Sequence, residues 1–430
     1  MKRGVYSLLT ALLAPAVWVR LRWRGRKEPL YRTAIGERFG RYRGAQAHGW
    51  VWVHAVSLGE TRAAASLVDA LRLIDPSLRL LLSHGTATGR AAGAALLHPG
   101  DRQVWLPWDS AGATRRFFAH YRPRVGVLIE TEVWPNLLHA AQAAGVPMVL
   151  ANARLSARSA RRGERLRGVL RPAAESIALV LAQTEADAQR LRAAGGRKVE
   201  VCGNLKFDMT PSPDLLAQGQ RWRQAIGRAI VLATSTREGE EAELLAAWTQ
   251  QSGPRPLLLI VPRHPQRFEE VAALVLGAGQ SLARRSDWAD DPPPEAASAD
   301  VWLGDSMGEM PLYYALAQVA LLGGSFAPLG GQNLIEAAAC GCPVLMGPHT
   351  FNFAQAAELA QAAGAARRVS SMADAVALAC EPVNEAQHTE QVDHCLAFAA
   401  QHRGAAKRMA ERIWTLLQAT GASANEESAR

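Results

Sequence analysis

Glu60 stands in the stretch WVWVHAVSLGETRAAASLVDALRLI, residues 50 to 74, where a buried strand gives way to a helix marked by Leu67, Val68, Leu71 and Ile74. A carboxylate at a helix N-terminus is favoured by the backbone dipole, so Glu60 could be no more than a cap. The same position lies beyond the carboxyl end of a strand, where open α/β sheets collect ligands and catalytic groups, and a carboxylate there could take a proton. Glu130 and Glu132, in ETEVWPN, offer two more acids at a second strand end. Two apart on an extended backbone, they would point to opposite sides, and one alone would face a cleft. Paired carboxylates also suit glycoside hydrolysis, but a hydrolase does not need the nucleotide pocket described next. Lys206, in GNLKFD, could neutralise charge in a cleft or simply bridge domains.

The second half of the chain carries features of another kind. In GGQNLIEA, Gly330 and Gly331 permit a tight turn, and a helix should begin near Gln332 or Asn333. Its free N–H groups would suit a phosphate, while Asn333 and Glu336 share a helix face from which a carboxylate could accept ribose hydroxyls. GDSMGEMP gives a second helix start, with Pro311 in the first turn and Met307, Gly308 and Glu309 placed to meet a base or a sugar. Ser235 and Glu238 read as a capping box, leaving Arg237 as a free cation at a strand end. Arg263, in PRHPQR, is similar, and a guanidinium fork grips phosphate or carboxylate. His264 reads as a packing or phosphate contact in preference to a general base.

These clusters need strands to end where they begin. Continuous apolar runs, as in strands buried on both faces of a parallel sheet, lie at Val51 to Ala55, Leu80 to Leu82, Val104 to Leu106, Val125 to Ile129, Met148 to Ala151, Ile177 to Ala182 and Val199 to Cys202. The rhythm restarts at Ile230 to Ala233, Leu257 to Val261, Val301 to Leu303, Val319 to Gly323 and Val344 to Met346. An α/β architecture follows, of two Rossmann-like, doubly wound domains facing each other across a cleft. The expected divisions are an anchor and basic segment at 1–43, a first domain at 44–208, a crossing at 209–228, a second domain at 229–420 and a polar tail at 421–430. A proline-rich surface loop is expected at Asp287 to Ser298, and the helix around Ala405 to Leu417 could close the second domain or pack back on the first.

The net charge of +9 is local: residues 1–43 hold eleven Lys and Arg against two Glu, and the remaining 37 basic and 37 acidic residues balance. No basic face or motif for nucleic acid accompanies it. Gly4 to Val19 is an uncharged run of 16 residues, below the ~20 needed to span a bilayer core and without a signal-peptide cleavage site. With Trp18, Trp23 and the arginines that follow, it reads as an anchor at an anionic membrane surface, the larger positive cluster keeping the body of the protein cytoplasmic. Five cysteines with no paired framework suit a reducing compartment, and Cys340 with Cys342 makes half a metal site at best.

Taken in order, VWVHAVSLGE, IETEVWPN, NARLS, GNLKFD, STREGEE, PRHPQRF, GDSMGEMPLYYALA and GGSFAPLGGQNLIEAAACGCPV closely resemble the 3-deoxy-D-manno-oct-2-ulosonic acid (Kdo) transferases of lipopolysaccharide assembly, over most of the chain. The resemblance implies a GT-B fold, CMP-Kdo as donor and not as a retained cofactor, and the lipid A precursor lipid IVA as acceptor, at the cytoplasmic face of the bacterial inner membrane. It further implies that Glu60 is the base and that Glu130 and Lys206 support the transition state. Pro262, Arg263, Met307, Gly308, Glu309, Asn333, Leu334, Ile335 and Glu336 would form the CMP site, with Ser235 and Arg237 beside them at the neighbouring strand end. Basic side chains and a helix terminus would serve in place of a metal, in keeping with the lack of an Asp-x-Asp near a strand end. The alternatives are another GT-B glycosyltransferase using a sugar nucleotide such as ADP-heptose or UDP-N-acetylglucosamine, and a membrane-tethered nucleotide-binding protein without catalysis.

Overall fold

Two parallel sheets organise the chain. The first contains β1 (Trp50–His54), β2 (Arg79–His84), β3 (Arg102–Trp105), β4 (Val125–Ile129), β5 (Met148–Ala153), β6 (Leu179–Ala182) and β7 (Val199–Val201). Its spatial order is β3-β2-β1-β4-β5-β6-β7. The second contains β8 (Ile230–Thr236), β9 (Leu257–Pro262), β10 (Leu282–Arg284), β11 (Val301–Leu303), β12 (Val319–Leu322), β13 (Val344–Met346) and β14 (Ala366–Arg368), in the order β10-β11-β9-β8-β12-β13-β14. The coordinates come from a computed structural model that describes all residues except Met1, Ala45, Ala47, Met209, Val383, Ala429 and Arg430, with the backbone alone from 421 to 428. β10 and β14 escaped the sequence reading. Each is a three-residue edge strand, too short and too mixed to stand out as an apolar run.

In each sheet the chain first fills one side and then jumps to the other side of its first strand. The jump falls between β1 and β4 in the first sheet and between β8 and β12 in the second. At such a switch point the two flanking connections leave in opposite directions and open a crevice at the carboxyl ends of the strands. Every side chain of β1 and of β4 is buried, because helices cover both sheet faces. The helix Leu58–Ile74 lays Ala63, Ala64, Leu67, Val68 and Leu71 onto one face and stops at Asp75, whose extended backbone precedes Pro76. Leu67 and Leu71 are fully buried, worth about 1.5–3 kcal/mol each.

The chain divides into two units, Met1–Asp208 with Arg403–Arg430, and Met209–His402. This departs from the expected divisions in three ways. The stretch expected to be a crossing at 209–228 is largely the helix Pro213–Ile226, which packs within the second unit through a fully buried Trp222. The expected second domain at 229–420 loses its last helix, Ala405–Ser428, to the first unit, where Met409, Ala410, Ile413 and Leu417 join the core beside Leu67 and Leu71. Asp208 fastens the start of that helix by accepting from the Gly404 and Ala406 N–H groups, and Arg408 Nη2 donates to the Cys202 carbonyl at 2.9 Å. The expected polar tail at 421–430 continues this helix to Ser428, its last residues, 429 and 430, lying outside the described ones. The proline-rich loop contains the short helix Pro294–Ser298 and is pinned by Trp222, whose indole donates to Asp291 Oδ1 at 2.7 Å.

The basic N-terminal segment also belongs to the first unit. Its helix, Arg3–Arg24, is long and apolar enough to cross a membrane by length and composition. It is held by polar contacts: Tyr6 donates to Asp109 (2.8 Å), Ser7 to Asn136 (2.6 Å), and Trp108 to the Thr10 carbonyl (2.6 Å). Leu8, Leu9, Leu12 and Leu13 point the other way, Leu8 being 61% and Leu12 68% exposed, while Leu21 near the end of the helix is buried.

Candidate active site

Glu60 sits in the first turn of the helix Leu58–Ile74, at the switch point of the first sheet. Ser57 is the N-cap, accepting from the Glu60 N–H at 3.4 Å and donating its hydroxyl to Glu60 Oε1 at 3.1 Å. Glu60 Oε2 reaches back to the Val56 N–H at 2.7 Å, so the carboxylate does cap the helix, in the manner of a capping box. Burial raises its pKa above the ordinary value, and the charge of Glu130 adds to the rise, against the hydrogen bonds from Val56 and Ser57. A carboxylate whose proton affinity is raised in this way is a stronger base than one in water.

Glu130 and Glu132 do not alternate as an extended backbone would require. Glu130 has a φ of +67°, in the left-handed region, and the strand has already ended at Ile129. The twist brings both acids into the field of Glu60, so the expectation that one alone would face the site is corrected. Glu130 is paired on both oxygens, with Lys206 Nζ at 3.6 Å and Arg154 Nε at 3.5 Å. Glu132 accepts from the Trp134 indole, and its pKa is pushed up to about 7, first by burial and then by the charges of Glu60 and Glu130.

Behind Glu132 lies His54, fully buried at the end of β1, with Nε2 at 3.9 Å from Glu132 Oε2. Its Nδ1 faces the Ser83 carbonyl at 3.0 Å, which only accepts, so the ring proton belongs on Nδ1. Burial holds its pKa down to about 3, and the ring is neutral. Asn152, also left-handed with a φ of +53°, holds the other side of the cluster by accepting from the Leu205 N–H at 3.0 Å, one residue before Lys206.

The second unit places its candidates at the corresponding strand ends. Pro262 ends β9 and is buried, while Arg263 is exposed, its N–H donating to the Thr236 carbonyl at 3.0 Å. Ser235 and Glu238 do not form a capping box. Ser235 is inside β8 with a φ of +51°, and the next helix begins later, at Glu240, with Gly239 as an N-cap lacking a side-chain bond. The physical reason is Glu240 itself. Its buried carboxylate accepts from the N–H groups of Arg237 (2.9 Å), Gly324 (2.8 Å), Phe326 and Ala327 (3.3 Å each), tying the turn after β8 to the turn after β12. The Arg237 side chain has no ion-pair partner among the described residues.

After β11, Glu309 is consumed by the fold, pairing with Arg285 at 2.8 Å and accepting from Ser306 and Tyr313. Met307 and Gly308 are exposed, and Glu309 braces the turn that presents them. The helix of GGQNLIEA starts at Leu334, not at Gln332 or Asn333, and Asn333 is its N-cap, accepting from the Ile335 N–H at 3.1 Å. One N–H expected to be open to a phosphate is thus occupied. Gly330 and Gly331 do have φ of +89° and +75°, the conformation for which glycine suits the turn. Leu334 and Ile335 are buried, so their side chains face the core, while Asn333 and Glu336 are half-buried.

With this geometry in view, similarity to known proteins decides the family. Residues 33–209 match the 3-deoxy-D-manno-octulosonic-acid transferase (kdotransferase) family. The 3-deoxy-D-manno-octulosonic acid transferase of Bordetella pertussis is 47% identical over 96% of this chain and 99% of its own length. The chain belongs to the Kdo transferase family. The Haemophilus influenzae transferase is 33% identical over 97% of this chain and 99% of its own. A glycosyltransferase from Rickettsia africae superposes with a TM-score of 0.57 at 10% identity, over 86% of this chain and 99% of that one, which shows the GT-B fold.

Within this Kdo transferase family member, sequence reasoning passed over Arg154, Glu240 and His54. Arg154 carried a usable signal, a cation directly beyond a strand, the same signal that drew attention to Arg237 and Arg263. His54 and Glu240 carried none, since a histidine at a strand end and one acid among several in STREGEE acquire their roles through residues distant in sequence.

Proposed function

We propose that the protein transfers Kdo from CMP-Kdo to lipid IVA with inversion, Glu60 serving as the general base. The observation that carries this reading is the cluster of Glu60, Glu130 and Glu132 at the switch point of the first sheet, in a chain 47% identical to a Kdo transferase. The acceptor hydroxyl oxygen would bond to the anomeric carbon of Kdo as its proton passes to Glu60. The bond from that carbon to the CMP phosphate oxygen breaks with its electron pair leaving on CMP. Negative charge from Glu130 and Glu132 would favour the oxocarbenium-like centre, while Lys206 and Arg154 hold Glu130 in place and meet the Kdo carboxylate.

The second unit would receive CMP on Arg263, Arg237, the backbone of Met307 and Gly308, and the Asn333 to Glu336 turn. Its cations and backbone donors suit a leaving phosphate. The outward leucines of the N-terminal helix and the arginines after it support attachment to the cytoplasmic face of the inner membrane, where an anionic surface and a phosphorylated lipid acceptor would both be found.

The test is transfer by the purified full-length protein in detergent, from CMP-Kdo made in situ to lipid IVA, read by mass spectrometry. A gain of one or more Kdo units, abolished in Glu60→Ala, is expected, with CMP and CTP as the effective inhibitors. An unchanged acceptor with folded protein and intact donor would overturn the reading, and inhibition by ADP or UDP in place of CMP would point to another sugar nucleotide.

A further inference from the structure

The first unit contains a second concavity whose apolar interior the chemistry above does not use, Arg154 on its wall being the one residue shared. A cavity of about 380 Å³ lies beneath the helices Ala157–Glu164 and Arg167–Glu175, lined by Leu170 from the second helix and by Leu150, Ile177 and Val180. That is within the usual size range for small-molecule sites, and its lining is mostly apolar. The helix Ala157–Glu164 buries none of its own residues, so it roofs the cavity without the apolar stripe by which a surface helix normally packs.

Charge and position narrow the occupant. From 154 to 171 the chain has seven arginines against one glutamate. Arg154 and Arg167 line the cavity, and Arg154 also pairs with Glu130, which connects the cavity wall to the acidic cluster. The helix Arg167–Glu175 packs beside the N-terminal helix, whose Leu8, Leu9, Leu12 and Leu13 face outward. An apolar interior with a guanidinium rim, between a lipid-seeking helix and a reaction centre, matches an amphiphile with an anionic head and a hydrocarbon tail.

We propose that this cavity receives an acyl chain of the acceptor, the rim arginines meeting an acceptor phosphate, so that the acceptor is selected by its lipid part as well as by its sugar. The inference rests on the proposed function, since it takes the acceptor to be an acylated, phosphorylated disaccharide. Filling the cavity should therefore harm the acylated acceptor selectively.

The experiment compares lipid IVA with its fully deacylated form, stripped of both ester-linked and amide-linked chains, as acceptors for the full-length wild type, Ala174→Trp and Ala160→Trp, with thermal melting to establish that each variant is folded. Ala174 and Ala160 both line the cavity, on different helices, so one variant can stand if the other fails to fold. KM for lipid IVA is expected to rise about tenfold or more, the ordinary scale for apolar misfit in a pocket. KM for CMP-Kdo, and for the deacylated acceptor, should stay at the wild-type value. Equal KM for lipid IVA in folded variants and wild type would overturn the cavity assignment while leaving the proposed function standing. So would an equal loss with both acceptors, or a loss accounted for by weaker binding to acceptor-free phospholipid vesicles, which would make the occupant a bilayer lipid. Failure of the wild type to use either acceptor would remove both readings together.

Discussion

The two switch points are built from the same topology and use their acids in opposite ways. At the first, Glu60, Glu130 and Glu132 crowd one another, and burial with mutual repulsion raises the proton affinity of Glu60 and Glu132. At the second, Glu240 is spent on four backbone N–H groups, Glu241 on Arg267 at 2.6 Å, and Glu309 on Arg285. Arg237 and Arg263 remain beside the strand ends there. The contrast teaches that a sheet crevice is neutral as to chemistry: acids left without full compensation give a site for protons, while acids absorbed into turns leave cations and backbone to receive an anion.

The strongest way to break this comparison is at the carboxylate assigned to the proton. Glu60→Gln keeps the shape and most of the cap, and kcat should fall about 10²–10⁴-fold with CMP still binding, as measured by transfer and nucleotide titration. A similar residual rate to wild type would return Glu60 to a purely structural role. At the second switch point the expected damage is to stability. Glu240→Ala leaves several buried N–H groups unpaired and should cost about 3 kcal/mol or more in chemical denaturation.

Smaller effects sharpen the contrast. Lys206→Met should lower kcat about a hundredfold, and Arg154→Met by less, because the arginine side chain is 52% exposed against 29% for the lysine. Glu130→Gln should move the acid limb of the kcat/KM profile to lower pH, since it removes the like charge that helps raise the pKa of Glu60. The smallest effect concerns His54. Its folded pKa, held down to about 3, lies below the ordinary value of 6.5, so the unfolded chain binds the extra proton between these limits and stability falls as pH drops through them. His54→Gln should flatten the acid slope of the unfolding free energy by about one proton, and an unchanged slope would show that the ring is protonated in the fold.

Much of this was legible in the sequence, for physical reasons that also mark the limits. The runs at Val125 to Ile129, Val301 to Leu303 and Val344 to Met346 coincide with β4, β11 and β13, because strands buried on both faces are apolar throughout. Glu60 was found because it stands at the start of a periodic helix directly after such a run. The capping box at Ser235 failed because a nearby acid, Glu240, does that work through long-range bonds that local spacing does not encode. The alternation of Glu130 and Glu132 failed because one left-handed residue resets the side-chain direction.

By itself, the sequence determined the α/β class, the two parallel sheets, the apolar N-terminal helix and the strand ends at which polar residues gather, since each follows from burial and periodicity along a short segment. Only the tertiary structure decided which acids meet, that Arg154 and Lys206 share Glu130, that His54 stands behind Glu132, and that the last helix returns to the first unit. Those outcomes depend on contacts between residues tens to hundreds of positions apart, and a pKa or an ion pair is a property of that assembled neighbourhood, not of the residue type.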